Sequence, residues 1–329
     1  MDVASLLDRR LLLVTGKGGV GKSSVAAAVA VASARSGRRT CLVEVEGRHT
    51  FSQLFGTQAW DFSEWEFRPG LFGLSIDPEA SLREYLDMFY GARHLSRVVV
   101  RSTAVEFATA AAPGIKDVLL IGKVKEMERR RDDDGHFHYD LIVVDAPPTG
   151  RIVNFLRAPD ATTELVNLGP IRTQAQTLID MLMDAERTNV VLVTLLEEMP
   201  VTETLEGAHA LRDMGVALGP VVVNRVMPER FDDDERKAIT ADLDPAGLQA
   251  MLADAGVRVS PAGADDLLTL AAGHLGREEL QRTSRELLER RLGLPLLELP
   301  ELYTDDFAER EVGLLADAVT DAVTPDEVS

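Results

Sequence analysis

Short apolar runs recur along the 329-residue chain and are separated by longer stretches of mixed character. Their uniform content of branched aliphatic residues is typical of strands that are buried on both faces, because a half-exposed strand would alternate apolar and polar side chains. The runs are residues 11–15, 40–45, 71–76, 140–145, 190–195, 220–224 and 294–299. We predict a strand at each.

Helical patterns lie between these runs. Residues 22–36 are rich in alanine and end before Gly37, and residues 202–214 repeat Leu and Ala at helical spacing. Residues 81–89 begin with Ser81 and carry Glu84 three positions later, the signature of a capping box. Strands that alternate with helices predict an α/β fold with a doubly wound, mostly parallel sheet.

Three regions interrupt the alternation. Residues 91–131 predict two or three helices, and residues 162–187 predict a helix, a break at Gly169 and Pro170, and a second helix. Residues 232–292 are mostly helical and charged in pattern. Since no stretch has a linker composition, we expect one domain over residues 1–329, with the first two regions as helical insertions.

The stretch GKGGVGKSS at residues 16–24 follows the first predicted strand and opens the first predicted helix. It matches G-x-x-x-x-G-K-[ST], in which glycines let backbone N–H groups approach phosphate oxygens. The pattern assigns Lys22 to the β- and γ-phosphates, the Ser23 hydroxyl to Mg²⁺ and Ser24 to the α-phosphate. The predicted nucleotide-binding residues of the loop are Gly16, Lys17, Gly18, Gly19, Val20, Gly21, Lys22, Ser23 and Ser24.

The loop contains a second lysine, Lys17, directly after its first glycine. From that position the side chain leaves the front of the loop and does not readily curl back onto the same nucleotide. We predict that it stabilises charge on a phosphate held by a second subunit, as an arginine finger does in trans. The simpler interpretation is an exposed lysine on a loop.

The loop resembles the deviant phosphate loop of dimeric SIMIBI-class ATPases. In these, a lysine at the position of Lys17 reaches across a dimer that sandwiches the nucleotides. The resemblance implies that ATP is the nucleotide and that the chain pairs as a homodimer or with a paralogue.

A second motif, DAPPTG at residues 145–150, follows a predicted strand. Asp145 has the place of a Walker B acid, which holds Mg²⁺ through water. The motif resembles the DTAPTG sequence of the arsenite-pump and tail-anchored-protein-targeting ATPase family, with matches at Asp145, Pro148, Thr149 and Gly150. The whole pattern looks closest to actinobacterial arsenical-pump-like "anion-transporting" ATPases.

Two further site residues follow from this resemblance. Residues 45–56, VEGRHTFSQLFG, are similar to the first switch of the family, whose catalytic aspartate falls on Glu46. Asn224, at the end of a predicted strand, has the place of the asparagine that reads adenine. With Lys17, Lys22 and Asp145, Glu46 completes the predicted catalytic set. ATP would then close the dimer, and hydrolysis would reopen it and gate an unidentified client.

The chain is acidic, with 35 Lys and Arg residues against 54 Asp and Glu residues and a formal net charge of −19. This charge disfavours binding to nucleic acid or to anionic membranes. No apolar run approaches the roughly 20 residues of a membrane span, so we expect no direct membrane insertion. Cys41 is the single cysteine, which argues for a reduced, cytoplasmic protein and against arsenite as a ligand, because arsenite needs several thiolates.

A hydrophobic or membrane-protein client is compatible with apolar positions in the second interrupting region, although the same spacing is typical of a helix that packs on the core. These positions are Val166, Leu168, Ile171, Leu178, Ile179, Leu182 and Met183. Two alternatives to a hydrolysing switch remain open: a nucleotide-dependent scaffold with little hydrolysis, suggested by Glu46, and a small-molecule kinase or synthetase of the same fold.

Overall fold

A computed structural model describes residues 3–45, 49–90, 114–165 and 170–324. Within these residues, eight strands form one sheet in the order β3-β4-β2-β5-β1-β6-β7-β8. The strands are β1 (Leu11–Gly16), β2 (Thr40–Val45), β3 (Trp65–Arg68), β4 (Leu71–Ile76), β5 (Leu141–Asp145), β6 (Thr188–Thr194), β7 (Val221–Val226) and β8 (Leu296–Pro300). β3 runs antiparallel to β4, and the other neighbours are parallel.

Eleven α-helices lie within the described residues. They are α1 (Lys22–Arg35), α2 (Thr50–Leu54), α3 (Pro78–Tyr90), α4 (Ile115–Arg129), α5 (Thr149–Leu165), α6 (Pro170–Met183), α7 (Glu198–Asp213), α8 (Asp233–Lys237), α9 (Pro245–Asp254), α10 (Pro261–Leu292) and α11 (Glu309–Val323). A 3₁₀ turn, Val3–Asp8, precedes β1, and a π-helical turn, Ala238–Asp242, follows α8. None of these helices is long and apolar enough to cross a lipid bilayer.

Both faces of the sheet are buried, as the uniformly apolar strands predict. Leu12 and Val14 of β1 face one core, with α1 and α11, whereas Leu11 and Leu13 face the other, with α4, α5, α6 and α7. The period of two along a strand sends successive side chains to opposite faces, so a strand with a helix layer on each side needs apolar residues at every position. The fold is therefore the doubly wound α/β sheet that the sequence predicts.

The strand predictions are confirmed for all seven apolar runs, with shifts of two residues or fewer at their ends. β3 was not predicted, because its sequence, WEFR, is short and mixes charged with aromatic residues. It lies at the edge of the sheet and exposes Glu66, so it lacks the uniform apolar pattern that marks the central strands.

The start of α3 corrects one prediction. The helix begins at Pro78 and not at Ser81, because the Asp77 carboxylate accepts hydrogen bonds from the backbone N–H groups of Glu79 and Ala80, both at 2.9 Å. Asp77 is therefore the N-cap, and the Ser81 hydroxyl donates to the Asp77 carbonyl from inside the first turn.

The described parts of the first two interrupting regions pack directly on the sheet. Leu120 and Met127 of α4 and Leu178 and Leu182 of α6 belong to the core on one face. For Leu178 and Leu182, packing on the core is thus the interpretation that holds. Val166, Leu168 and Gly169 lie outside the described residues.

Candidate nucleotide-binding site

The loop between β1 and α1 has the backbone geometry of a phosphate cradle. Gly19 and Gly21 have φ angles of 90° and 88°, a left-handed conformation that favours glycine. A Cβ atom on Gly16 would lie 2.2 Å from the Val193 carbonyl oxygen of β6, so this glycine lets the loop pass close to the sheet. Helix α1 starts after Gly21 without a side-chain cap. Its first N–H groups therefore point into the loop, where an anion is favoured.

Lys22, the first residue of α1, lies inside this loop. Its side chain is largely buried, and its Nζ donates to the Lys17 carbonyl oxygen at 3.2 Å. The next residue, Ser23, donates its hydroxyl hydrogen to Oδ2 of Asp145 at 2.6 Å. Asp145 ends β5, the neighbour of β1, and is 5% exposed. The structure thus brings together the loop lysine, the loop serine and the strand-end carboxylate that the sequence singles out.

The second predicted motif lies against the same loop. The Thr15 hydroxyl, buried at the end of β1, donates to the Pro147 carbonyl oxygen at 2.6 Å. Thr149 then begins α5 and is largely buried. A Cβ atom on Gly207 of α7 would lie 3.3 Å from Cγ2 of Thr149, so α7 closes against the start of α5. The turn at residues 145–150 is therefore fixed between β1 and α7.

Asn224 supports the loop from the end of β7. Its side chain is 5% exposed, and Nδ2 donates to the Val20 carbonyl oxygen at 2.9 Å. The same Nδ2 would lie 2.3 Å from a Cβ atom on Gly21, which explains why a side chain does not fit there. The Asn224 amide thus has a structural contact with the phosphate loop, and its predicted contact with adenine remains a prediction.

Lys17 points in a different direction from Lys22. Its Nζ forms an ion pair with Oε1 of Glu203 on α7 at 2.8 Å, and about a third of each side chain is exposed. One loop therefore carries two ammonium groups, one within the cradle and one at its outer surface.

Glu46 lies outside the described residues, so its catalytic role remains a prediction. The described flank of the first switch is fixed by Glu44, a buried carboxylate of β2. It accepts hydrogen bonds from the backbone N–H groups of His49 at 2.9 Å and Thr50 at 2.6 Å, at the start of α2. Glu44 is also paired in register with Asp145 on the neighbouring strand.

Local backbone strain coincides with these positions. Among the described residues, His49 and Arg225 are the two non-glycine residues with positive φ, at 56° and 55°. Arg225 directly follows Asn224, at a point where the pairing of β7 with β8 shifts register. Such conformations persist where the surrounding structure holds them, and they concentrate at functional sites.

Comparison with known proteins identifies the family of the chain. The chain matches the family described as "Anion-transporting ATPase" over residues 9–178 and 170–243. It is 43% identical to ATPase BagA of Mycobacterium tuberculosis over 88% of this chain and 87% of that protein. The chain belongs to the anion-transporting ATPase family. It is an ATPase.

Other relatives are less similar to this chain, and their names differ. The chain is 28% identical to the arsenical pump-driving ATPase of Acidiphilium multivorum over 92% of its own length, although the match spans about half, 55%, of that protein. It is 24% identical to ATPase GET3 of Candida glabrata over 68% of this chain and 74% of that protein. The resemblance that the two motifs predict is thus confirmed.

The donor set of this ATPase fits Mg²⁺. Ser23 and Asp145 offer a hydroxyl and a carboxylate, the hard oxygen donors that Mg²⁺ prefers. Two protein oxygens suffice because Mg²⁺ usually completes its shell with water and substrate phosphate. The described residues contain no group of three or more His, Cys, Asp or Glu side chains placed to hold a metal ion.

Two residues of the site were not predicted from the sequence. Glu44 had a detectable signal, since it is a carboxylate within a mostly apolar strand, directly before the predicted first switch. Glu203 had none, because its partner Lys17 is distant in the chain and α7 carries several other acidic residues at its surface. Only the packing of α7 beside β1 brings this pair together.

Proposed function

We propose that this ATPase is a Mg²⁺-dependent dimeric switch, in which ATP closes two protomers onto each other and hydrolysis reopens them. The partner protomer is a second copy of this chain or a paralogue. The observation that carries the proposal is the divergence of the two loop lysines. Lys22 already occupies the cradle, which leaves the ammonium of Lys17, held outside the cradle by Glu203, to serve a triphosphate of another protomer.

Each site residue has a role in this proposal. The backbone of residues 16–24 and the start of α1 bind the phosphates, and Lys22 holds the β- and γ-phosphates. Ser23 and Asp145 would hold Mg²⁺, which would supply positive charge against the charge that develops on the phosphates. Glu46 orients the attacking water, and Asn224 contacts adenine while it supports the loop. Lys17 stabilises the transition state of the facing protomer.

In this proposal, helix α7 connects the nucleotide-binding loop to the helical region that contacts a client or partner. It contacts Lys17 through Glu203, and it packs against Thr149 through Gly207. Its carboxyl-terminal end contacts α10, since Arg212 donates to the Leu292 carbonyl oxygen at 2.6 Å. Large apolar side chains are exposed on α9 and α10, namely Met251, Leu267, Leu270 and Leu280. This supports contact between the helical region and an apolar surface of the client.

Arsenite is not the cargo in this proposal. Cys41, the single cysteine of the chain, is completely buried in β2. Burial raises the pKa of its thiol well above the ordinary value, so the thiolate that arsenite needs is disfavoured.

Substitution of Lys17 tests the proposal. In Lys17→Ala we expect ATP hydrolysis, measured as phosphate release, to fall about 100-fold or more, because a cation supplied in trans contributes at least this much. Affinity for ATP in the single protomer should change little, since Lys22 and the backbone hold the phosphates. Lys237→Ala is the matched control, because this exposed lysine of α8 lies outside the loop.

Two results would contradict the proposal. Unchanged turnover in Lys17→Ala would show that the lysine has no catalytic role. The second result is a wild-type turnover per protomer that stays constant as the protein concentration rises, while sedimentation shows separate protomers in the presence of ATP. Hydrolysis would then need no dimer. Phosphate release by wild-type protein, alone and with a paralogue, also separates a hydrolysing switch from a scaffold.

A further inference from the structure

The ion pair between Lys17 and Glu203 occupies the group that the proposed dimer requires. Lys17 Nζ lies 2.8 Å from Glu203 Oε1, and 28% and 34% of the two side chains are exposed. Both partners belong to the same protomer. As long as this pair is intact, the ammonium charge of Lys17 is directed towards its own chain.

We propose that Glu203 is a positioning residue for Lys17: it restrains the lysine on α7 and releases it when the triphosphate of the facing protomer takes its place. This inference rests on the proposed in-trans role of Lys17. The inference adds a partner within the chain that competes with the triphosphate for Lys17. Closing the dimer must therefore break this ion pair, which costs free energy.

The strength of the pair suits this role. A partly exposed ion pair in solvent contributes little, because water and salt screen it. A triphosphate carries several negative charges and therefore outcompetes one carboxylate for the lysine. Glu203 can thus delay closure without preventing it.

The position of Glu203 on α7 links release to the second motif. Gly207, one helical turn further along, packs against Thr149 at the start of α5. Thr204, between them, is 1% exposed, so this part of α7 is fixed to the protein interior. Glu203 therefore holds Lys17 from a rigid support that also borders the turn at residues 145–150.

The test compares Glu203→Gln with Glu206→Gln, which removes the same charge from an exposed position one turn along α7. The dissociation constant of the dimer is measured by sedimentation with a non-hydrolysable ATP analogue and Mg²⁺. We expect Glu203→Gln to dimerise about two- to fivefold more tightly than the wild type, and Glu206→Gln to match the wild type. Affinity of the single protomer for the analogue should be the same in all three.

Two further measurements separate restraint of Lys17 from a merely structural role. The effect of Glu203→Gln should disappear in the Lys17→Ala background, because the two residues act through one contact. It should also shrink as salt concentration rises, because salt screens the pair. A structural effect of Glu203 on α7 would persist under both conditions.

Weaker dimerisation in Glu203→Gln would overturn the inference, because Glu203 would then support the closed state. Identical dimerisation of Glu203→Gln, Glu206→Gln and wild type would overturn it as well. The failure of the proposed function looks different: Lys17→Ala would then dimerise and hydrolyse ATP like the wild type, whatever Glu203 does.

Discussion

Strands β1 and β6 lie side by side, and charged groups pair at both of their ends, but the two ends differ in burial. At the amino ends, Arg10 and Arg187 both bind Glu128 of α4, with Nε–Oε1 distances of 3.1 and 3.2 Å. The Glu128 side chain is 1% exposed. At the carboxyl ends, Lys17 and Glu203 form a single contact that is about one third exposed.

The buried cluster fixes the amino ends of these strands, whereas the more exposed ion pair at their carboxyl ends can exchange partners. Burial lowers the pKa of the Arg10 guanidinium, and the hydrogen bond to Glu128 raises that of Arg187, so the three groups depend on one another. Removing one member of a buried cluster leaves an uncompensated charge, whereas a partly exposed pair exchanges partners at little cost. We therefore expect substitutions at the amino ends to change stability and substitutions at the carboxyl ends to change chemistry.

The largest effect is expected for Glu128→Ala. Without the carboxylate, two guanidiniums remain close together in a partly buried site, and the free energy of unfolding should fall by about 3 kcal/mol or more. Denaturant unfolding measures this loss. ATP binding by the folded fraction should be unchanged.

Glu186→Ala is the matched control for this loss, because Glu186 pairs with Arg9 but is 89% exposed. We expect a change of about 0.5 kcal/mol or less. Equal losses in Glu128→Ala and Glu186→Ala would contradict the contrast between the two ends.

The next largest effect is expected at the carboxyl end of β5, and its control lies at the amino end of the same strand. Asp145→Asn, at the carboxyl end of β5, should lower kcat for ATP about 100-fold, or roughly 2.7 kcal/mol, because a neutral amide is a poor metal partner. Asp140→Asn, at the other end, changes an exposed carboxylate that accepts from the Arg39 backbone N–H at 2.8 Å. Its kcat should match the wild type, and a comparable loss in both variants would refute the assignment of chemistry to one edge.

A smaller effect is expected for Glu44→Gln. An amide replaces a carboxylate that holds two backbone N–H groups at the start of α2, which should cost about 1–2 kcal/mol of local stability. Trp60 reports on this helix, because the centroid of its ring lies 5.4 Å from that of Phe51 in α2. In a Trp65→Phe background, its fluorescence should change at a lower denaturant concentration than in the parent protein.

Glu66→Gln provides the control for this variant. Glu66 also accepts a backbone N–H, that of Gly70 at 2.7 Å, but it is exposed at the edge of the sheet. We expect no shift of the Trp60 transition there. A shift as large as that of Glu44→Gln would mean that burial of the carboxylate is not what matters.

The central sheet could be predicted from the sequence because buried parallel strands carry a signal at every position. The phosphate loop and Asp145 could be predicted because their chemistry requires fixed residue types at a fixed spacing beside a strand and a helix. β3 could not, since an exposed edge strand of four residues lacks a continuous apolar pattern.

The interactions around the loop could be predicted less well. The Asn224 contact with Val20 and the Glu203 contact with Lys17 join residues that are far apart in sequence, and each depends on which elements pack side by side. Local patterns also misplaced the start of α3, because Asp77 offered a competing cap four residues before Ser81.

The most direct test of the in-trans role of Lys17 mixes two inactive variants. A Lys17→Ala protomer keeps Asp145, and an Asp145→Asn protomer keeps Lys17. If the lysine acts across the dimer, one site of each mixed dimer is complete, and an equimolar mixture should recover about a quarter of the wild-type hydrolysis rate. If the mixture stays inactive although sedimentation shows that mixed dimers form, Lys17 serves the nucleotide of its own protomer and the account is wrong.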